Sequence, residues 1–163
     1  MTDTRVLHTR PLQATAFAPF GQVIEAVGPP DRLINAGRCG RHHDLARLDI
    51  ADRAGISVFR SESVTLPYRF DLVERHPLGS QAFLPMTEHP FLVIVAPDLG
   101  DRPGDPLAFL TAPGQGVNIG RNVWHGVLTP LADPGLFAVA DRCADGPNLQ
   151  EHVYPAPWTV LPG

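Results

Sequence analysis

Proline and glycine are the residues that most restrict what this chain can fold into. The 163 residues include 18 Pro and 15 Gly, about one residue in five, which is well above average usage. They do not form a linker but recur at intervals of roughly eight to twelve residues between short apolar runs, a pattern typical of β-sandwiches and β-barrels. Proline inside a helix costs about 3 kcal/mol, so this spacing argues against a helical protein.

The apolar runs between these breaks predict short strands. Residues 56–60, 68–76, 81–85, 91–96, 107–111, 116–120 and 136–142 are the clearest. The run 91–96 is continuously apolar, which suits a strand buried on both faces. Residues 12–20 predict a short helix. The proline-rich tail, residues 148–163, is expected to lie over the surface of the barrel.

Composition restricts the class of protein further. With 13 basic and 17 acidic side chains the net charge is −4, and no cluster of Lys or Arg suggests a nucleic-acid partner. The longest apolar run is too short to cross a bilayer, and residues 1–5 contain no apolar segment of a signal peptide. The chain is therefore expected to be one cytoplasmic domain, residues 1–163, with no membrane or nucleic-acid partner.

The first polar cluster stands at the end of a predicted strand. Phe70, Leu72, Glu74 and His76 alternate along residues 68–76 and would share one face, which begins apolar and ends in a carboxylate and an imidazole. Gln81 follows the Pro77-Leu78-Gly79 turn and can point back toward the same place. The alternative is that Glu74 pairs with a surface Arg, which holds if the strand phase is shifted by one residue.

The second polar cluster lies in residues 116–125, GVNIGRNVWH. Asn118, Arg121, Trp124 and His125 place an amide, a guanidinium, an aromatic ring and an imidazole within eight residues. Each has a structural alternative: Arg121 as a solvated turn residue, Trp124 as core, His125 as a satisfied structural histidine.

The spacing of the two clusters is similar to that of the two cupin motifs. Glu74, His76 and Gln81 would be delivered by one strand and turn, and His125 by another. In cupins such a set holds a divalent metal, and here the ligands would be Glu74, His76, Gln81 and His125. Two imidazoles, a carboxylate and an amide suit Ni²⁺, Mn²⁺, Fe²⁺ or Zn²⁺ without selecting among them. The same side chains are equally suited to bind a polar substrate directly.

Residues 74–85, ERHPLGSQAFLP, and residues 116–125 also resemble the hallmark motifs of the ureidoglycolate lyases. Shorter matches run from Phe17 to Arg142, so the resemblance covers nearly the whole chain. It implies a mainly all-β fold, a cupin-type barrel or double-stranded β-helix with one or two short peripheral helices. It also implies a homodimer that cleaves ureidoglycolate to glyoxylate and urea in allantoin and purine breakdown. Nickel is the metal that the resemblance favours, and no organic cofactor is implied.

Three positions depart from the family pattern. Many members have Tyr-His where this chain has Ile119 and Gly120, and a second His where it has Gly126. The second motif thus has fewer polar side chains, which leaves two alternatives: another cupin enzyme acting on a small α-hydroxy acid, or a non-catalytic cupin that binds a small acid.

The chemistry of a carbinolamide suggests roles for the remaining candidates. Cleavage needs a proton acceptor for the hydroxyl group, a proton donor for the leaving urea nitrogen, and cations or donors for the carboxylate. His125 and His76 are the expected acid–base pair, because imidazole titrates near neutrality, and Glu74 would orient or polarise one of them. Arg121 or Arg60 would clamp the carboxylate with a guanidinium fork. Ser80, Gln81 and Asn118 would bind the urea group.

Overall fold

The computed structural model describes residues 5–163. Residues 1–4, on which the expectation of no signal peptide largely rests, lie outside the described part. No helix among the described residues is long and apolar enough to span a membrane.

The described chain is almost entirely β-structure, as the spacing of Pro and Gly predicts. It has one helix, α1 (Ala14–Phe17), a single turn. The strands are β1 (Arg5–His8), β2 (Arg10–Pro11), β3 (Gly21–Ile24), β4 (Arg32–Ile34), β5 (Cys39–Arg41), β6 (Ala54–Ser61), β7 (Tyr68–Arg75), β8 (Gln81–Pro85), β9 (Phe91–Ala96), β10 (Leu107–Leu110), β11 (Gly116–Ile119), β12 (Trp124–His125), β13 (Thr129–Pro130), β14 (Gly135–Arg142) and β15 (Gln150–Leu161).

Two sheets build the barrel. One has the order β1-β15-β7-β12-β9-β10-β2, with β13 also paired to β9, and the other has the order β3-β11-β8-β14-β6. A small hairpin, β4-β5, forms a third sheet. The predicted cupin-type β-barrel is confirmed by this architecture.

The apolar residues form two cores on the two faces of the larger sheet. Phe91, Val93 and Val95 of β9 point between the two sheets, where they meet Phe83 and Val117 of the smaller sheet. The alternate residues of β9 belong to a second cluster, built from strands of the larger sheet alone; this sheet curls so that β1 contacts β10. All six residues of β9 are buried, so the prediction of a strand buried on both faces is confirmed.

Three connections meet at one end of the barrel. Residues 76–80 join β7 to β8, residues 120–123 join β11 to β12, and residues 143–149 join β14 to β15. A backbone hydrogen bond ties the first two together, since the amide of Asn122 donates to the carbonyl of His76 over 3.0 Å. Because each connection is short, the strand ends that it joins lie at this end of the barrel, together with the polar residues of both motifs.

The expectation for the tail is wrong. Residues 150–161 form β15, the longest strand, which lies between β1 and β7 inside the larger sheet. The prolines of the tail suggested that it is not a strand, but Pro155 and Pro157 lie where the β15–β7 register shifts, between Val153 and Trp158. Proline is tolerated at such an irregularity because ladder hydrogen bonds are already interrupted there.

The predicted face of β7 is wrong for Phe70, which lies beside the same irregularity. Phe70 packs in the second core together with Val73, an odd spacing that strict alternation forbids. Phe70 therefore does not share a face with Glu74, whereas Glu74 and His76 remain on one side, as predicted.

Candidate active site and metal centre

Glu74, His76 and His125 converge at the end of the barrel. Glu74 and His125 are directly opposite each other on β7 and β12, and His125 is also opposite Val95, which points between the sheets. Residues opposite each other in a ladder share a face, so the carboxylate and imidazole project into the barrel. One potential ligand atom from each of the three side chains lies within 4.8 Å of the others. This group could hold a metal ion.

Both imidazole rings are held through Nδ1. His76 Nδ1 lies 2.8 Å from the carbonyl of Asn148, and His125 Nδ1 lies 2.9 Å from the carbonyl of Gly126. A carbonyl only accepts, so each Nδ1 carries the hydrogen, and Nε2 of the neutral ring presents a lone pair. The two Nε2 atoms are buried and have no hydrogen-bond partner among residues 5–163. Metal-binding histidines are commonly fixed by a second hydrogen bond of this kind, so the site fits a divalent metal.

Burial moves the pKa values of two of these groups in opposite directions. His125 is 2% exposed, and burial lowers the pKa of its imidazole to about 4, with the nearby His76 lowering it further and the Gly126 carbonyl opposing the shift. Burial raises the pKa of the Glu74 carboxyl; His76 opposes this effect and Glu151, opposite Glu74 on β15, adds to it. His125 is therefore neutral at neutral pH, as a metal ligand or proton acceptor must be.

The reverse side of these two strands is fixed by a charged cluster. The guanidinium of Arg75 lies 4.2 Å from the centre of the Trp124 ring and 3.3 Å from a carboxylate oxygen of Asp98, and the Trp124 indole donates to Asp98. Arg75 directly follows Glu74 in the sequence, and Trp124 directly precedes His125. This cation–π and ionic contact therefore sets how the two site residues face each other.

Gln81 lies on the opposite wall of the barrel. Its neighbours Phe83 on β8 and Ile119 on β11 are inner-core residues, and alternation gives Gln81 the same inward direction. Its amide donates to Asp141 of β14 over 3.0 Å, which leaves the amide oxygen of Gln81 as an acceptor. Asp141, which the sequence singles out only as part of a weak family match, thus joins the polar groups at this end.

Ser80 and Asn118 point away from this cluster. The Ser80 hydroxyl accepts from the amide of Asp49, in the segment that precedes β6. The side chain of Asn118 is fully buried and donates to Gln22 and to the carbonyl of Arg47. Both residues alternate with inward-facing neighbours, so the structure places them behind the smaller sheet.

The two candidate arginines also separate. Arg60 is on the exposed face of edge strand β6, opposite in direction to Phe59, which packs against the inner core. Arg121 lies in the 120–123 connection, where it donates to the carbonyl of Pro77 over 2.8 Å and forms a 3.4 Å ion pair with Asp49. Of the two, Arg121 is the one at the site's end of the barrel.

Two of the three positions that depart from the family pattern, Ile119 and Gly126, differ in burial. Ile119 is 5% exposed and belongs to the inner core. Gly126 packs against Ile94, and a Cβ added at Gly126 would lie 3.0 Å from the Cβ of Ile94. A side chain at position 126 would therefore require Ile94 to shift.

Comparison with known proteins agrees with the geometry. The family model for ureidoglycolate lyase matches residues 4–161. The chain is 63% identical to a ureidoglycolate lyase of Rhodobacter capsulatus, over 94% of this chain and 97% of the relative. It is 52% identical to ureidoglycolate lyase 2 of Rhizobium meliloti (94% and 96%), and 49% identical to a ureidoglycolate lyase of Chelativorans sp. (96% of both). The chain, an all-β barrel with a carboxylate and two imidazoles converging at one end, belongs to the ureidoglycolate lyase family.

Proposed function

We propose that this protein is an enzyme that cleaves ureidoglycolate to glyoxylate and urea, with Glu74, His76 and His125 at the reacting centre. The observation that carries the proposal is the convergence of these three side chains within 4.8 Å, with both Nε2 atoms buried and unpaired among the described residues. The family supplies the substrate, and the geometry supplies groups that suit it.

The reaction needs two proton movements and no water. The hydroxyl on the central carbon loses its proton as the oxygen forms the aldehyde carbonyl of glyoxylate. The carbon–nitrogen bond breaks with its electron pair going to nitrogen, and that nitrogen takes up a proton to give urea. One group must therefore accept a proton and another must donate one while both face the same carbon.

The paired imidazoles suit this exchange. In the proposal, the Nε2 lone pair of one imidazole accepts the hydroxyl proton, and the carboxyl of Glu74, whose pKa burial raises, donates in its protonated form to the leaving nitrogen. The imidazole that has gained a proton then returns it to the Glu74 carboxylate, which restores the site. Glu74 Oε1 lies 3.9 Å from His76 Nε2, which is close enough for one substrate oxygen or nitrogen to contact both. Burial excludes water from the two Nε2 atoms and strengthens each polar contact that they make.

Binding of the two ends of the substrate uses groups around this centre. We assign the urea end to the amide oxygen of Gln81, which the bond to Asp141 orients. We assign the carboxylate to Arg121 and not to Arg60, because only Arg121 lies in a connection at this end of the barrel. Ser80 and Asn118 support the wall behind the site in this proposal and do not bind urea.

A divalent metal would be held by Glu74, His76 and His125, with Gln81 as the candidate fourth ligand. Nickel remains the metal that we propose first, with Mn²⁺, Fe²⁺ and Zn²⁺ as the alternatives for such a mixed nitrogen and oxygen set. When bound, it would act as a Lewis acid toward the hydroxyl and carboxylate oxygens of the substrate. The residues would then keep their roles in orienting the substrate and excluding water.

The broader context follows from the family. We propose that the protein is a single domain that works in the cytoplasm, in the breakdown of allantoin and other purine products. Nucleic acid is not an expected partner, because the net charge is −4.

We also propose a homodimer that buries the exposed part of the outer face of the smaller sheet, on β6, β14 and the adjoining end of β8. Val58, Ala138 and Leu84 form one row across β6, β14 and β8 on this face. Ile56 is 81% exposed, Val58 63% and Leu84 39%, and large apolar side chains grouped on one exposed face mark an interface. Small alanines beside large aliphatic residues allow two copies of the same face to interlock about a two-fold axis.

The test of the lyase activity is a coupled glyoxylate assay with racemic ureidoglycolate, run with and without a chelator. Release of glyoxylate far above spontaneous decay, lost in His125→Ala but kept in His43→Ala, is the expected result; His43 is in an exposed loop. Loss on chelation and recovery with Ni²⁺ would support the metal. If neither the purified protein nor the protein supplied with Ni²⁺ or Mn²⁺ releases glyoxylate, the substrate assignment is wrong.

A further inference from the structure

The imidazole of His76 is held by a residue that is far from it in the sequence. Its Nδ1 donates to the carbonyl of Asn148, 72 positions along the chain. His125 differs, because its Nδ1 bonds to the carbonyl of the next residue, Gly126. The orientation of His125 is therefore a local property of β12, whereas the orientation of His76 depends on where the 143–149 connection lies.

The side chain of Asn148 fixes that connection to the turn that carries His76. The amide oxygen of Asn148 accepts a hydrogen bond from the backbone amide of Leu78 over 2.7 Å. One residue thus accepts twice from the 76–80 segment, through its backbone carbonyl and through its side chain. A pair of contacts of this kind restricts both the position and the rotation of the Asn148 peptide group.

The rest of the connection is anchored at its other end. Arg142 donates to Asp52 and to the carbonyls of Ala144 and Asp145, so the first part of the segment is held without Asn148. Gly146 and Pro147 then lead into Asn148, and β15 begins at Gln150. Asn148 is the residue that ties the last part of the segment to the site.

We infer that Asn148 is a positioning residue of the active site: through its two contacts with residues 76–78 it holds His76 as the Nδ1–H tautomer, with Nε2 aimed at Glu74 and His125. The inference deepens the proposed function, on which its activity readout rests. Removing such an outer partner of a metal-binding histidine typically costs about 10–100-fold in metal affinity or activity.

The experiment compares Asn148→Ala with Asn148→Asp, which keeps the acceptor for the Leu78 amide, and with Leu149→Ala as the matched control. Leu149 is the next residue and is 50% exposed, so its truncation changes the same connection without removing either hydrogen bond. Three readouts are taken: ¹⁵N chemical shifts of the histidine rings in the metal-free protein, the affinity for Ni²⁺ by calorimetry, and kcat and KM for ureidoglycolate.

Asn148→Ala keeps the backbone carbonyl that accepts from His76 and loses the side-chain contact with Leu78, so the carbonyl is held less firmly. We expect mixed tautomers of one histidine, a fall of up to about 10-fold in Ni²⁺ affinity, and a loss in kcat that exceeds any change in KM. Asn148→Asp should restore most of the affinity, and Leu149→Ala should match the wild type. If Asn148→Ala does not fold, Asn148→Ser, whose shorter side chain loses the contact with Leu78, is measured in its place.

The result that overturns the inference is a wild-type tautomer and wild-type Ni²⁺ affinity in Asn148→Ala, or an equal loss in Leu149→Ala. These two readouts do not need turnover. A wild-type protein that shows no cleavage of ureidoglycolate would overturn the proposed function, and the ring tautomer and Ni²⁺ affinity would still decide the role of Asn148.

Discussion

The rings of His76, just past the end of β7, and His125, on the neighbouring strand β12, lie with their centres 5.2 Å apart, and each gives its Nδ1 hydrogen to a backbone carbonyl. This arrangement presents two Nε2 lone pairs to one small volume beside the Glu74 carboxyl. Two imidazoles this close are costly to protonate together, so the pair is suited to exchange one proton or to share one cation.

The first prediction concerns this pair. His76→Ala and His125→Ala should each lower kcat for ureidoglycolate cleavage by about 10²–10⁴-fold, the usual contribution of a positioned acid or base. Each should also abolish stoichiometric binding of Ni²⁺, because a site that loses one of three protein ligands no longer encloses the ion. The measurements are the coupled glyoxylate assay and metal content after dialysis. Near wild-type turnover in either variant would remove that histidine from the reaction.

A second prediction concerns the glycine after His125. Gly126→Ala should lower the free energy of unfolding by about 1 kcal/mol, the low end of the usual cost of an added methyl group, because the half-buried residue would gain a Cβ 3.0 Å from the Cβ of Ile94, which would have to shift. Gly126→His, which brings the chain back to the family pattern, should cost at least as much and should not raise kcat. Urea denaturation monitored by fluorescence measures the first quantity. A stabilised Gly126→His with higher turnover would contradict this account.

The sequence predicts the barrel and the convergence of Glu74, His76 and His125, because both depend on local patterns of alternation and turn residues. Alternation and turn residues place Glu74 and His76 on one side of a strand end, and the Gly-Arg-Asn turn before Trp124 brings His125 beside them. Asn118 and Ser80 were assigned to the substrate in the sequence-based interpretation, although alternation along β8 and β11 turns them behind the sheet. A residue's direction depends on strand phase, which a single sequence fixes poorly at strand ends.

Two features of the site, the role of Asn148 and the position of β15 in the sheet, cannot be read from a single sequence. Asn148 follows Gly-Pro in a loop of ordinary composition, and its importance arises only because β15 starts beside β7. The sheet position of β15 was itself missed, because prolines within an apparent strand usually argue against one. Long-range pairing decides both features, and local propensity does not report it.

A third prediction tests the dimer surface. Val58→Asp should convert the protein from dimer to monomer in solution, because it places a charge in the centre of the row Val58, Ala138 and Leu84, where burial would desolvate it. The control is Val27→Asp, which changes a side chain of similar exposure, 68% against 63%, outside the strands. Light scattering coupled to gel filtration gives the mass. A dimeric Val58→Asp protein, or a monomeric wild type, would place the interface elsewhere or remove it.

The fourth prediction follows from the buried imidazole of His125. The pKa of this group is lowered from 6.5 to about 4 in the folded protein, so between these values the unfolded chain binds a proton that the folded protein does not. The free energy of unfolding therefore falls as the pH is lowered through this window and is unaffected by this group at higher pH. A difference of this size corresponds to about 3 kcal/mol.

Urea denaturation of the metal-free protein between pH 7.5 and pH 4.5 measures this effect, since bound metal would itself favour the neutral ring. In His125→Asn, the part of the pH dependence that belongs to the imidazole should disappear, while the part that comes from the other titrating groups remains. The difference between the two stability curves should be constant above about pH 6.5 and should change below it, with the wild type losing stability faster. Parallel curves down to pH 4.5 would mean that His125 titrates alike in the folded and unfolded states, and hence that the ring is not held neutral by burial.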